Sequence, residues 1–202
     1  MEESLNPELV NNLLSFEGNI RGMDIKSDGL FVLENYGKEI LEKVQQYAQA
    51  NECSLEYLKI NPWAFVPGGL KAISLLAIRD VLNFNEEKIV AIGSAAPQRS
   101  FIIRLSLKFF ADISRFIFQE SSRVWRKYWT VGNFVPLECN EKEKRVRVRI
   151  ENFKLHPIYC HYLRGFLSAL PHIALSGKNP KTIETKCVFR GDPYHEFVVG
   201  WE

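Results

Sequence analysis

Residues 130–150 read TVGNFVPLECNEKEKRVRVRI and carry the clearest structural pattern in this chain of 202 residues. In residues 145–150 arginine alternates with valine or isoleucine. This alternation predicts a β-strand with one buried apolar face and one basic, hydrated face. The polar run at 138–143 predicts a turn, so the stretch predicts an antiparallel hairpin of strands at 130–137 and 144–150.

A second hairpin is predicted at the end of the chain. Residues 181–190 and 194–201 have strand-like patterns on either side of Gly191-Asp192-Pro193, a sequence typical of a turn. Between the two hairpins, Pro157 begins a stretch whose apolar residues recur at helical spacing. Gly165 lies inside this predicted helix and lowers its propensity by about 1 kcal/mol. Its presence predicts close packing against a neighbouring backbone.

The first half of the chain has mainly helical patterns. Apolar spacing predicts a helix that ends near Asn51 and a second helix that opens at Gly68-Gly69. Residues 101–129 contain two helix-like pieces that meet near Ala111. We expect a short strand at 16–25 and a connector at 86–96.

This order of strand, helices, hairpin, helix and hairpin predicts an α+β fold, in which an antiparallel sheet packs against a helical layer. We expect residues 1–15 to form an N-terminal extension and residues 16–202 to form a single ligand-binding-type domain.

Composition restricts the class of protein. Hydrophobic residues make up 46% of the chain, which favours a folded core over disorder. No run approaches the ~18 uncharged apolar residues of a transmembrane segment. The start at Met1-Glu2-Glu3 is acidic and lacks the features of a secretory signal. Four cysteines are too few for a disulfide framework, so we expect a cytoplasmic protein with reduced thiols.

Charge is unevenly distributed along the chain. Residues 1–98 carry a net charge of −6, whereas residues 99–154 carry +7. The basic region includes Arg145, Arg147 and Arg149 and offers two interpretations, a solvated face or a site for nucleic acid. No recognition-helix motif accompanies the charge, so nucleic acid is the weakest hypothesis.

Motifs of common enzymes are missing from the sequence. It contains no Gly-rich phosphate loop, no G-x-G-x-x-G and no G-x-S-x-G. All four histidines lie at or beyond His156, so the preceding helical region has no imidazole to act as a base or a haem ligand. We therefore expect a non-catalytic protein.

Four residues of types that bind metals lie near the C-terminus. Cys160, Glu184, Cys187 and His195 have the spacing Cys-x23-Glu-x2-Cys-x7-His. Thiolate, carboxylate and imidazole groups all bind Zn²⁺, and four of them complete a tetrahedral shell. Glu184 and Cys187 need a bulge or a strand end to reach the same side of a strand. The alternative is two buried cysteines that act as small hydrophobic residues.

The same region resembles a known family. Residues 153–197 resemble the C-terminal half of the 4-vinyl reductase domain, in the wider nitric-oxide-signalling and Golgi-transport ligand-binding fold. The matching segments are Cys160-His161-Tyr162-Leu163-Arg164-Gly165-Phe166-Leu167, Glu184-Thr185-Lys186-Cys187 and Gly191-Asp192-Pro193-Tyr194-His195-Glu196-Phe197. In sensor domains of phenol- and toluene-responsive activators, this family binds zinc through Cys, Glu and two further Cys. This chain has His195 where the last Cys is usual.

The resemblance implies a homodimer with a structural zinc ion and an apolar pocket for a small hydrophobic ligand. The signal would pass to a separate protein partner of unknown identity. The haem-binding branch of the fold is expected to be excluded, because no histidine precedes His156 and the Tyr-x-Ser-x-Arg signature is missing.

Aromatic density suggests where a pocket would lie. Nine of the 25 aromatic residues fall between Phe101 and Phe134, and the candidate pocket residues are Phe109, Phe116, Trp125 and Trp129. Ordinary core packing is the alternative. The resemblance leaves two functions open. One is a sensory domain for a small hydrophobic or aromatic ligand, and the other is a dimeric scaffold subunit like the Bet-type subunits of the TRAPP vesicle-tethering complex, which belong to the same fold.

Overall fold

The computed structural model describes residues 3–99, 113–175 and 179–202, with the backbone alone described at 113–119 and 171–175. The described helices are α1 (Pro7–Leu14), α2 (Gly22–Ala50), α3 (Gly69–Leu82), α4 (Glu86–Arg99), α5 (Ile113–Tyr128) and α6 (Pro157–Leu175). The strands are β1 (Asn19–Arg21), β2 (Phe65–Pro67), β3 (Asn133–Asn140), β4 (Arg145–Glu151), β5 (Lys181–Lys186) and β6 (His195–Gly200). None of the described helices has the length and apolarity that crossing a membrane requires.

Helices α1, α2 and α6 pack on α3, most of whose residues are buried. Helix α2 packs on α3 and bends at Gly37, where φ is +83°. Helix α1 also packs on α3 and buries Val10 and Leu13. The side chain of Asn6 accepts a hydrogen bond from the Leu9 N–H and caps α1.

Helices α4 and α6 pack with their backbones in close contact. A Cβ atom placed on Gly165 would lie 1.9 Å from the Val90 carbonyl oxygen, and one on Gly93 would lie 2.0 Å from the Tyr162 carbonyl oxygen. Only glycine permits this separation. The close packing predicted from Gly165 is therefore confirmed, and α4 is the neighbour.

The main sheet is antiparallel with the strand order β3-β4-β6-β5. Both predicted hairpins are confirmed, as β3–β4 and β5–β6. In β4 the predicted alternation is also confirmed, since Val146, Val148 and Ile150 are buried. Strands β1 and β2 form a separate antiparallel pair. The predicted class, an antiparallel sheet with a helical layer, is correct.

Two local predictions are wrong. The expected strand at 16–25 is limited to Asn19–Arg21, because α2 begins at Gly22 and buries Asp24 in the helical layer. The expected connector at 86–96 is helix α4, whose buried residues Ile89, Ile92, Gly93 and Ala96 recur at helical spacing. The Asn85 side chain accepts a hydrogen bond from the Lys88 N–H at the start of this helix.

Candidate metal cluster and aromatic cavity

The four predicted metal-binding residues meet at one point between α6 and the β5–β6 hairpin. Their candidate ligand atoms all lie within 4.8 Å of one another. The Cys160 Sγ atom is 4.0 Å from Cys187 Sγ and 3.7 Å from His195 Nδ1. The His195 Nδ1 atom is 3.1 Å from Glu184 Oε1. Cys160, Cys187 and His195 are buried.

A break in the strand register places Glu184 and Cys187 on the same side. The β5–β6 pairing shifts between Glu184 and Lys186, and the strand then ends. The Asp192 carboxylate accepts a hydrogen bond of 2.8 Å from the Cys187 N–H and so fixes the start of the turn. His195 lies at the beginning of β6. The bulge that the sequence required is therefore present.

The separations suit tetrahedral coordination. An ion bound to two sulfurs at about 2.3 Å would hold them about 3.8 Å apart, close to the 4.0 Å between Cys160 and Cys187. A disulfide requires about 2.05 Å, and both cysteines are free thiols. Two thiols, an imidazole and a carboxylate can therefore surround one ion without a large rearrangement.

Without a cation in the cluster, burial and the neighbouring acidic groups disfavour a negative charge on Cys160. Burial raises the pKa of the Cys160 thiol, and nearby Glu184 and Cys187 raise it further. Burial would also raise the pKa of Glu184, but the hydrogen bond and charge of His195, with Cys160 and Arg190, outweigh it. The pKa of Glu184 is therefore below its usual value. A divalent cation would favour the thiolate form that binds metal.

A second site, the aromatic cavity, lies between α5 and α6. Its volume is about 60 Å³. Most of its wall is aromatic or aliphatic, and its lining residues are Asp24, Ser121, Val124, Trp125, Tyr128, Trp129, Phe134, Tyr159, Tyr162, Leu163, Phe166, Leu167 and Leu170. It is an apolar site with few polar groups, the usual character of a small-molecule pocket.

The structure brings together two of the four predicted pocket residues. Trp125 and Trp129 line the cavity and stack with ring centroids 6.2 Å apart. Phe109 lies outside the described residues. Phe116 belongs to α5, but its side chain lies outside the described part.

Hydrogen bonds hold the polar edges of the aromatic wall. The Trp125 Nε1–H donates to the Val131 and Gly132 carbonyl oxygens. The Trp129 Nε1–H donates to the Tyr159 hydroxyl at 3.0 Å. These bonds pair the indole N–H groups and fix the orientation of both rings in the cavity wall.

Sequence reasoning missed the contribution of α6 and α2 to this cavity. The apolar spacing of α6 does identify Tyr159, Tyr162 and Phe166 as one face, but not as a cavity wall. Asp24 had no local signal, because its buried position depends on Lys71, whose ammonium lies 3.4 Å from Asp24 Oδ2.

The basic face of the β3–β4 hairpin is balanced by carboxylates. Arg145 pairs with Glu138 and Glu143, and Arg147 also pairs with Glu138. Arg149 pairs with Glu151. These arginines therefore contribute less net positive surface than the sequence alone suggests.

No family model and no curated protein matches the chain in sequence. Solved structures do match in fold. The chain is similar to an H-NOX protein from S. oneidensis in the Fe(II)NO ligation state, with 10% identity and a TM-score of 0.65 over 91% of this chain and 99% of that one. It is also similar to the Fe(II) unliganded H-NOX protein from K. algicida, with 10% identity and a TM-score of 0.61 over 91% of this chain and 97% of that one.

A third similar structure concerns the modulation of heme redox potential through protein-induced porphyrin distortion, with 9% identity and a TM-score of 0.58 over 91% of this chain and 95% of that one. These similarities confirm the nitric-oxide-signalling fold. At this level of identity they establish the fold alone.

The cofactor prediction of zinc without haem needs correction. The exclusion of haem is wrong as a conclusion about the fold, because the similar structures include H-NOX proteins that hold Fe(II) and a protein that distorts heme. The comparisons do not support zinc either. The exclusion failed because it was drawn from residue types, while the three-dimensional fold is shared at about 10% identity.

The described cavity does not match the needs of haem. A haem requires an axial ligand such as His, Cys, Met or Tyr, and the described wall offers only the hydroxyls of Tyr128, Tyr159 and Tyr162. Burial raises the pKa of Tyr159 and Tyr162 well above the usual value, which disfavours the phenolate. The described residues of the cavity wall do not fit haem in this arrangement.

Proposed function

We propose that the chain is a non-catalytic sensory domain that binds a small hydrophobic ligand in the aromatic cavity and a divalent metal ion at the cluster. We further propose that it is a cytoplasmic homodimer of the 4-vinyl reductase family and signals through a separate protein partner. One observation carries the proposal: helix α6 lines the cavity with Tyr159 and supplies Cys160, the next residue, to the cluster.

The cavity supports the ligand-binding part. Two of its lining residues, Trp129 and Tyr159, pack against each other and against Phe153 behind them, with ring centroids 4.9–5.6 Å apart. Edge-to-face aromatic packing of this kind stabilises a fixed wall. An apolar molecule that enters the cavity exchanges water for aromatic surface, which is favourable at about 25 cal/mol per Å².

The cluster supports the metal-binding part. A bound ion would connect α6 to the β5–β6 hairpin through Cys160 on one side and Glu184, Cys187 and His195 on the other. Such a connection couples metal binding to folding. A soft divalent ion suits this donor set, because two of its four donors are sulfur.

The shared helix supports a route for the signal. Movement of α6 in response to a ligand would also displace Cys160 and the packed α4 helix. Because Gly165 and Gly93 place these two backbones in direct contact, a shift of α6 toward α4 would have to move α4 as well. A partner that recognises α4 or the closing hairpin would detect the change.

Metal binding is tested with Co²⁺ as a spectroscopic probe in reducing buffer. We expect one Co²⁺ per chain, with the visible and near-ultraviolet absorption of tetrahedral thiolate coordination. At a free Co²⁺ concentration 100-fold above Kd, the free energy of unfolding should rise by about 2.7 kcal/mol. Cys187→Ser should abolish the absorption and most of the gain.

Cys53→Ser is the matched control for this experiment. Cys53 and Cys187 are both 4% exposed, but Cys53 lies outside the cluster. The control variant should retain the Co²⁺ spectrum and the gain in stability. If wild type shows no gain with Co²⁺, or if Cys187→Ser retains it, the cluster is not a metal site.

Ligand binding is tested by solvent extraction and mass spectrometry of the purified protein, followed by titration with small apolar probes. A co-purified hydrophobic molecule, or a saturable change in the fluorescence of Trp125 and Trp129, supports the sensory function. A stable dimer with neither would favour the scaffold function. An absorption band of bound haem would replace the proposed ligand class with a porphyrin.

A further inference from the structure

The aromatic cavity has one charged residue among the described residues that line it, Asp24. The remaining wall is aromatic or aliphatic except for the hydroxyls of Ser121 and the tyrosines. The Asp24 side chain is 8% exposed, so its carboxylate lies at low dielectric and its charge acts strongly on anything inside the cavity.

Asp24 belongs to a buried group of charges, the Lys71 network, made of Asp24, Asp28, Lys71 and the hydroxyl of Ser74. The Lys71 ammonium is 2.7 Å from Asp28 Oδ1 and 3.4 Å from Asp24 Oδ2. Ser74 donates a hydrogen bond of 2.8 Å to Asp28. With both carboxylates ionised, two negative charges face a single positive charge. The network then carries a net charge of −1 beside the cavity.

The Asp24 carboxylate retains capacity for another partner. Its Oδ1 atom accepts a hydrogen bond of 2.7 Å from the Tyr162 hydroxyl, and its Oδ2 atom faces Lys71. An ionised carboxylate has about four acceptor positions. Because Lys71 lies closer to Asp28, Asp24 is the carboxylate with the weaker compensation.

The protein already buries one ammonium group in this chemical setting. Lys71 is fully buried, and its ammonium lies against the carboxylate of Asp28 and 3.7 Å from the ring centroid of Tyr162. A carboxylate combined with an aromatic face is therefore sufficient to hold a cation in this layer. The cavity presents the same combination, Asp24 with the rings of Tyr128, Trp129 and Tyr159.

We propose that the ligand of the aromatic cavity is a small organic cation, an alkylammonium ion whose charge pairs with Asp24 and whose carbon atoms contact the aromatic rings. This inference rests on the proposed ligand-binding function and names its ligand class. A cation over an aromatic face is attracted by the electron-rich ring, and a hydrogen bond to a charged group is about twice as strong as a neutral one.

Volume sets the size of the ligand. A cavity of 150 Å³ in another protein holds benzene, whereas this one measures about 60 Å³. The ammonium ion that enters without rearrangement therefore has only a few heavy atoms. A neighbouring cavity of about 210 Å³ shares Asp24, Tyr128 and Phe166 and offers space for a longer substituent.

Two basic residues, Lys26 and Arg99, line that neighbouring cavity and have partners of their own. The Lys26 ammonium donates to the Leu58 carbonyl oxygen, and Arg99 pairs with Glu34. They do not line the aromatic cavity itself. An anionic ligand held by Lys26 and Arg99 is therefore the alternative that the experiment must separate.

The test compares ethylammonium, ethanol and acetate, three probes of similar size with charges of +1, 0 and −1. Binding is followed by the fluorescence of the cavity tryptophans at constant ionic strength. We expect ethylammonium to bind at least about tenfold more tightly than ethanol, and acetate to bind most weakly. In Asp24→Asn the preference for ethylammonium should fall to about twofold or less.

A second variant keeps the test decisive if Asp24→Asn fails to fold. Tyr128→Leu removes one aromatic face and should weaken ethylammonium binding more than ethanol binding. Equal affinity for ethylammonium and ethanol, tighter acetate binding, or an undiminished preference in Asp24→Asn would overturn the proposal. If neutral probes bind without any preference for the cation, only this inference fails. If no probe binds, the proposed ligand-binding function fails with it.

Discussion

Replacing Gly165 with alanine should push α6, the helix shared by the cavity and the cluster, away from α4. The added Cβ would lie 1.9 Å from the Val90 carbonyl oxygen and 2.8 Å from the Ser94 nitrogen. An ordinary carbon–oxygen contact is about 3.3 Å, so α4 and α6 must move apart by about 1.4 Å. Both atoms belong to the backbone, which cannot rotate away as a side chain does.

The expected loss follows from two opposing effects. Overpacking costs typically about 1–3 kcal/mol, and this contact belongs at the upper end because backbone must move. Alanine recovers up to about 1 kcal/mol of helix propensity. The net change in the free energy of unfolding is therefore a loss of about 2 kcal/mol. For a chain of this length, that loss lowers Tm by about 4–8 °C.

Urea unfolding followed by circular dichroism measures this difference directly. Gly200→Ala is the control, because the nearest atom to its added Cβ is 3.9 Å away, and its stability should stay close to that of wild type. Gly93→Ala should reproduce the loss, since it meets the Tyr162 carbonyl oxygen. A Gly165→Ala protein as stable as wild type, or more stable, would refute the described packing of α4 against α6.

Two further predictions concern the Lys71 network. Lys71→Met should lower the free energy of unfolding by about 3–5 kcal/mol, because it leaves buried carboxylates without their cation. The control Lys43→Met removes an exposed lysine paired with Glu39 and should cost under about 0.5 kcal/mol in the same urea titration. Burial raises the pKa of Asp28 from 3.8 to about 6, so its contribution to stability is present below pH 3.8 and is lost as pH rises through about 6. Asp28→Asn should therefore remove a fall in stability between pH 4 and 6.5. An unchanged pH profile would contradict that assignment.

Helix α6 contributes to both proposed sites. Its face toward α5 carries Tyr159, Tyr162 and Phe166, whereas Cys160 approaches the closing hairpin. The two sites can therefore influence each other through one rigid element. The proposed experiments on metal and ligand binding can be combined, since coupling predicts that each ligand changes the affinity for the other by the same factor.

Local patterns in the sequence determined the two hairpins, the helix at Pro157 and the set of four candidate metal-binding residues. The alternation in β4 and the spacing in α6 follow the local periods of a strand and a helix, so the sequence alone reveals them. Even the bulge between Glu184 and Cys187 followed from the two-residue period of a strand. The glycine at 165 predicted close packing because its helical position had no local justification.

The tertiary structure decided what those patterns left undefined. The expected strand at 16–25 and the connector at 86–96 were wrong, because α2 and α4 are stabilised by partners distant in the chain. The buried position of Asp24 depends on Lys71 and Tyr162, 47 and 138 residues away. A buried charge is stable only when a compensating partner is buried beside it. No local sequence pattern indicates which distant residue is that partner. The cavity and the Asp24 carboxylate in its described wall are therefore products of the fold.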